Sequence, residues 1–130
     1  MPGFSVNIEA KSLENENFRQ VLFTASLSQL VVMTLKPGEE IGLETHADRD
    51  QFIRVELGQG EAILDGEHHA LEDGVALVIP AGTEHNVVNT SRNESLRLYT
   101  LYSPPEHPDG TLHRTKQEAD EYERSHHNSS

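Results

Sequence analysis

The chain has 130 residues, enough for one domain with a real core and too few for two. Its 22 acidic against 10 basic residues leave a net charge of −12, which argues against nucleic acid or an anionic membrane as a partner, since both need clustered Lys and Arg. Cysteine is absent, so disulfides and thiolate metal sites are excluded, and His, carboxylates and amides are the ligands available.

The N-terminus, MPGFSVNIEAKSLENENF, has no basic stretch followed by an apolar one, so no signal peptide is visible. The longest apolar runs, Leu30–Met33 and Val75–Ile79, fall far short of a membrane span, and a cytoplasmic protein is expected. Residues 18–25 (FRQVLFTA) and 28–35 (SQLVVMTL) are apolar, β-branched-rich runs. The second is apolar on both faces, as in a strand inside a sandwich. Pro37-Gly38 forces a turn, and Gln51–Leu57 alternates with period two, placing Gln51, Ile53 and Val55 on one face and Phe52, Arg54 and Glu56 on the other. Arg54 and Glu56 are therefore expected at the exterior or at an interface.

Ala62–Leu64 leads into Asp65-Gly66, a dipeptide suited to the positive φ angles of a type I′ hairpin turn. Val75–Ile79 is a short continuous apolar strand, His85–Asn89 pairs back after Pro80-Ala81-Gly82, and Leu96–Tyr102 supplies a last long strand. About eight short strands at regular turn spacing predict an all-β sandwich or barrel. After Ser103-Pro104-Pro105 the chain turns polar. Thr115-Lys116-Gln117-Glu118 has capping-box form, with Thr115 as N-cap and Glu118 reaching back to its amide, and predicts a short helix over about 116–124. The final SHHNSS is expected to be disordered.

Two blocks carry the chemistry. The first, GEEIGLETHADRDQFIRVELG, places Glu44, His46 and Gln51 between Gly38 and Gly58; the second, GVALVIPAGTEHNVVN, places His85 between Gly82 and Asn89. Their spacing resembles the paired motifs of the cupin family. That resemblance implies a double-stranded β-helix, or jelly roll: residues 1–27 an N-terminal strand and extension, 28–102 the barrel, 103–130 a C-terminal extension with a short helix. It also implies that Glu44, His46, Gln51 and His85 converge on one divalent ion. The family more usually has His at the first of these positions and Glu at the third, so both departures fall on the metal shell. Glu44 and His46, two apart on a strand, share a face. Two imidazoles, a carboxylate and an amide oxygen resemble the two-His-one-carboxylate triad of non-haem iron sites, with a neutral donor added. Losing one nitrogen hardens the shell, shifting preference from Cu(II) toward Mn or Fe, with Zn and Ni also compatible. The alternative is a metal-free jelly roll in which the same four side chains form a hydrogen-bonded pocket.

Gly38, Gly58, Gly74, Pro80 and Gly82 read as turn residues. Asn89 is expected to bond local backbone, His68-His69 to lie on the surface, and His126-His127 to belong to the polar tail. Residues 102–114 read either as a flap that offers Tyr102, His107 or His113 to a ligand, or as a tail packed along the barrel exterior or against a partner subunit. The expected partner is a small molecule, with a homodimer formed through the apolar N-terminal runs. The function expected is an isomerase- or lyase-type reaction on a small oxygenated molecule such as a sugar acid or keto compound, the proton moved by Glu44 or a flap histidine. A non-haem metal oxygenase and a non-catalytic binding cupin stay open, because one fold hosts many chemistries.

Overall fold

Period-two patterning builds the two walls of the molecule. The structure, a computed structural model, describes residues 2–126. Its strands are β1 (Arg19–Thr24), β2 (Gln29–Leu35), β3 (Glu44–Thr45), β4 (Asp50–Leu57), β5 (Gln59–Leu64), β6 (Glu67–Glu72), β7 (Ala76–Ile79), β8 (Glu84–Asn89), β9 (Leu96–Ser103) and β10 (Leu112–His113). Helices α1 (Ile8–Glu14) and α2 (Lys116–His126) flank them. A six-stranded sheet in the order β10-β1-β2-β9-β4-β7 faces a four-stranded sheet in the order β3-β8-β5-β6, in the double-stranded β-helix arrangement.

The inner faces meet in one core. Val21, Val31, Met33, Leu35, Ile53, Val55, Leu96 and Leu98 from the larger sheet pack against Ala62, Leu71 and Val87 from the smaller. The same inward series turn polar toward one end. Gln51 continues Ile53 and Val55, Thr100 and Tyr102 continue Leu96 and Leu98, and Gln51, Tyr102 and Gln29 stand opposite one another across β4, β9 and β2. The barrel thus has an apolar half that closes on itself and a polar half that must satisfy its hydrogen bonds another way.

Local chemistry explains the turns. Asp65 (φ 48°) and Gly66 (φ 82°) both have positive φ, as a type I′ hairpin between β5 and β6 requires. Asn89 Nδ2 donates to Leu35 O and Glu94 O while its Oδ1 accepts from Ser91 N, tying β8 to the end of β2 through backbone contacts. At α2, Glu118 N donates to Thr115 Oγ1 at 3.0 Å, as a capping box predicts. The reciprocal bond differs, because the Glu118 carboxylate accepts from Arg114 N at 2.9 Å, one residue before the N-cap. The helix continues through Ser125 and His126, so disorder does not begin at Ser125; the rest of that expected tail, with His127, lies outside the described residues.

Two expectations need correction. The N-terminal extension also carries a helix, α1, that the pattern does not predict; Asn7 caps it, accepting from Ala10 N at 3.0 Å, and it packs across the outer face of β2, β4 and β9. Val32, which points outward from β2, is buried to 1% exposure, so part of the apolar surface of the N-terminal runs is covered within the chain. Glu56 is not an exterior residue. The register of β4 shifts between Val55 and Leu57, and the Glu56 side chain is buried to 3% exposure against the Arg54 guanidinium. A bulge breaks the alternation that the period-two reading extrapolated.

At Gly60 in β5 the neighbouring strand β8 and a side chain of the opposite sheet both approach closely. A Cβ there would lie 2.5 Å from Val88 O and 2.9 Å from Leu96 Cδ2, and the carbonyl belongs to the paired strand and cannot yield. Gly60→Ala is expected to destabilise the fold by about 2 kcal/mol, the usual cost of overpacking. A thermal melt unchanged from the parent would show that the strands can part more easily than this packing implies.

Candidate metal centre

Three motif positions come together at the polar end of the barrel. Strand β3 pairs with β8 so that Glu44 stands opposite His85, which brings the two motifs into contact. Glu44 Oε1 lies 3.9 Å from His46 Nε2 and 4.0 Å from His85 Nε2, and ligand atoms of all three lie within 4.8 Å of one another. Their side chains are 29%, 10% and 4% exposed, so the cluster is reached from the Glu44 side. Gln51 is buried on the same inner wall, anchored by an Nε2 bond to Thr100 Oγ1 at 3.0 Å.

Hydrogen-bond accounting identifies which atoms are free. His85 Nδ1 lies 2.9 Å from Thr83 O, and a carbonyl can only accept, so Nδ1 carries the proton and a neutral ring leaves a lone pair on Nε2. His46 Nδ1 faces Glu106 Oε2 at 3.5 Å, which orients its ring the same way. His46 Nε2, His85 Nε2 and Gln51 Oε1 are all sealed from water without a hydrogen-bond partner. An orphaned buried polar atom costs about 1–3 kcal/mol. Three of them beside a carboxylate form a donor set that fits a divalent ion, the outer ring nitrogens already held as metal-ligating histidines commonly are.

The charges respond to burial. Desolvation raises the Glu44 carboxyl above its ordinary range, opposed by His46, Arg19 and His85. Desolvation lowers His46, with Glu44 opposing and His85 adding to the shift. The lowered pKa suits the His46 ring to serve as a neutral ligand.

The segment after β9 folds over this end of the barrel rather than along its exterior. Gln29 clamps it: Oε1 accepts from Glu106 N (3.2 Å) and His107 N (3.0 Å), and Nε2 donates to His107 O (2.7 Å). Arg49, from the turn between β3 and β4, holds Glu106 Oε1 at 2.8 Å and also donates to Pro105 O. Tyr102 stands edge-on between His46 and His107, with ring centroids 5.9 and 5.2 Å away. Burial keeps the Tyr102 phenol protonated and raises the Glu106 carboxyl. Beside the cluster opens a cleft of about 480 Å³, with Ile41–His46 on one wall and Glu106, Lys116, Asp120 and Glu123 on the other.

Glu106, Arg49 and the buried Arg19 are the site residues that sequence reasoning missed. Arg19 carried a legible signal, because period two puts it on the inner face with Val21. Glu106 carried none, since a loop residue's direction follows from the Gln29 clamp and not from any pattern. His68 and His69 lie on the outer strand β6, paired with Glu61 and Glu67, as expected of surface residues.

Comparison with known proteins agrees with this architecture. Residues 31–102 match the family model described as a cupin domain, more than half of the chain, and the protein belongs to the cupin family. The crystal structure of BH2720 from Bacillus halodurans superposes with a TM-score of 0.89 at 42% identity, covering 92% of this chain and 95% of that one. The uncharacterized protein YrkC of Bacillus subtilis (strain 168) is 44% identical over 122 residues, 89% of this chain and 65% of its own length. Quercetin 2,3-dioxygenase of the same organism is 35% identical over 78 residues, 60% of this chain but 23% of that protein. The chain thus spans about two thirds or less of these two curated relatives.

His107 gives the site a pH signature. Burial and the nearby Arg19, His113, His46 and Arg49 push its pKa down to about 2, from an ordinary 6.5. The unfolded chain then binds a proton that the folded chain refuses, so stability is lost as pH falls below about 6.5. The lowered His46 and His113 act in the same direction, while the raised Glu44 and Glu106 favour the folded state on acidification. The melting temperature of metal-free protein should depend less steeply on pH between 7 and 5.5 in His107→Gln than in the parent. Equal slopes in a series of melts would show that His107 titrates normally.

Proposed function

We propose that this cupin holds one divalent ion through Glu44, His46, Gln51 and His85 and acts on a small oxygenated molecule in the adjoining cleft, by isomerase- or lyase-type chemistry. The observation that carries this reading is the convergence of two unpartnered, buried Nε2 atoms on the Glu44 carboxylate, with the unpartnered Gln51 Oε1 on the same wall. Mn or Fe suits this oxygen-rich shell best, with Zn and Ni compatible. When bound, such an ion supplies Lewis-acid polarisation of a carbonyl or hydroxyl oxygen.

The chain's own residues do the rest. Glu106 orients His46 through Nδ1, and Arg49 fixes Glu106. Tyr102 and the segment behind it exclude water from the inner side of the cluster. Glu106 also borders the cleft with a carboxyl raised by burial, which suits it to accept a proton at Oε1 or Oε2 from a carbon next to a bound carbonyl. His107, with a pKa near 2, is too weak a base for that step.

A non-haem oxygenase is the second reading, favoured by the similarity to quercetin 2,3-dioxygenase and by the two-His-one-carboxylate set. Oxygen uptake during turnover distinguishes the two. Homodimerisation is also proposed, through the outer face of β4 and β7, where Val78 is 66% exposed beside Phe52. Light scattering that gives a monomer at micromolar concentration would refute it.

The metal reading is tested by metal content and titration of purified variants. His85→Ala should lose at least about tenfold in affinity, as expected when an imidazole donor goes. Gln51→Ala should lose less, because water can replace an amide, and Gln51→Glu should tighten binding through a second carboxylate. Unchanged metal binding in all three would assign the ion elsewhere and leave the pocket as a metal-free cleft.

A further inference from the structure

We infer that Arg19 is an anion-binding residue of the barrel interior, and that the molecule taken by the cleft is a small carboxylic acid with a hydroxyl or carbonyl oxygen beside its carboxylate. The first part stands on Arg19 alone; the second rests on the metal-site reading above. Arg19 shares the inner face of β1 with Val21, stands opposite Met33, and is 4% exposed. A guanidinium stays ionised under all ordinary conditions, so a full charge is buried there.

No carboxylate among the described residues lies within 4 Å of it. Its Nη1 is 3.3 Å from His113 Nδ1, its guanidinium lies over the Phe18 ring, and its Nε is sealed from water with no hydrogen-bond partner. His113 suits the role of a neutral acceptor, since burial and Arg19 itself lower its pKa. The Phe18 ring centre lies 5.3 Å from the Arg19 guanidinium carbon and 5.9 Å from Nζ of Lys116, a residue of the cleft wall, which puts the Arg19 charge near the cleft, and that charge lowers the carboxyls of Glu44 and Glu106 without forming an ion pair with either.

A buried cation needs a counter-charge, and the planar guanidinium fork matches a carboxylate. A phosphate is disfavoured, because its second negative charge would meet Glu44 and Glu106 with a single guanidinium to offset it. A carboxylate on Arg19 and an adjacent oxygen on the ligand cluster would span the two sites together.

The test uses the full chain, chelator-treated and nitrogen-15-labelled. The Arg19 Nε–Hε resonance, assigned by its disappearance in Arg19→Lys, is followed while acetate is added, with acetamide as the neutral isostere. Acetate should shift it saturably and acetamide should not. A resonance that ignores acetate, or moves equally with both, overturns the assignment. In manganese-loaded protein, Arg19→Met should bind glycolate at least about tenfold more weakly while keeping its manganese stoichiometry. Equal glycolate affinity in parent and variant would overturn it as well. If Arg19→Met fails to fold, the acetate titration of the parent decides. If the parent itself takes up no manganese, the metal reading fails while the acetate titration still judges Arg19.

Discussion

A polar atom sealed from water needs a partner, and this constraint divides the barrel interior in two. In the apolar half, Val31, Met33, Leu35, Ile53, Val55, Leu96 and Leu98 satisfy it trivially, since they have nothing to hydrogen-bond. In the other half, His46 Nε2, His85 Nε2, Gln51 Oε1 and Arg19 Nε all violate it. A core optimised for stability would fill these positions with Val and Leu. The polar half therefore lowers the stability of the bare fold, a cost that the proposed metal and ligand would offset. The apolar half makes that tolerable, because a well-packed end keeps the strands in register while the other end stays under-satisfied.

The polar half also depends on chain from outside the family-matched region. Residues 31–102 contain Glu44, His46, Gln51 and His85, but Arg19 comes before that span, and Glu106, His107 and His113 come after it. Gln29 joins the two sides. It pairs with Tyr102 in the sheet and grips the backbone of residues 106 and 107 with both ends of its amide. An amide at this position does what a carboxylate or a cation would not, since it accepts two N–H groups and donates to a carbonyl at once. Through that grip the segment after β9 becomes a wall of the site instead of a loose connector.

How much of this was legible in the sequence follows from which signals are local. The strands were readable because alternation and turn residues are local properties: Gln51–Leu57, Asp65-Gly66 and Val75–Ile79 fall where their patterns place them. The convergence of Glu44, His46 and His85 was readable only through the cupin spacing, since β3 and β8 are far apart in the chain. Helix α1 escaped because IEAKSLE is short and buries a serine, Ser12, in place of an apolar stripe. Glu56 escaped because a bulge shifts the register where the pattern alone predicts continued alternation. Arg19 was hidden by its surroundings. In a run as apolar as FRQVLFTA one charge is easily taken for an exposed exception, although its period matches the core.

The altered motif gains a rationale once these neighbours are counted. Around the cluster, the Arg49 guanidinium pairs with Glu106, while Arg19 lowers the Glu44 carboxyl without forming an ion pair with it. With a glutamate at position 51 as well, the pocket would be anionic before any ligand arrived, inside a chain whose net charge is already −12. The amide of Gln51 keeps an oxygen donor at that position without adding charge. A divalent ion bound there would then leave the interior cationic, and a local positive potential inside an acidic protein both attracts a carboxylate and holds it against the surrounding repulsion. On this view the shift of the carboxylate from the third ligand position to the first, and the neutral amide left behind, belong to one electrostatic arrangement with Arg19, in which the donor set and the anion site are matched to the same small acid.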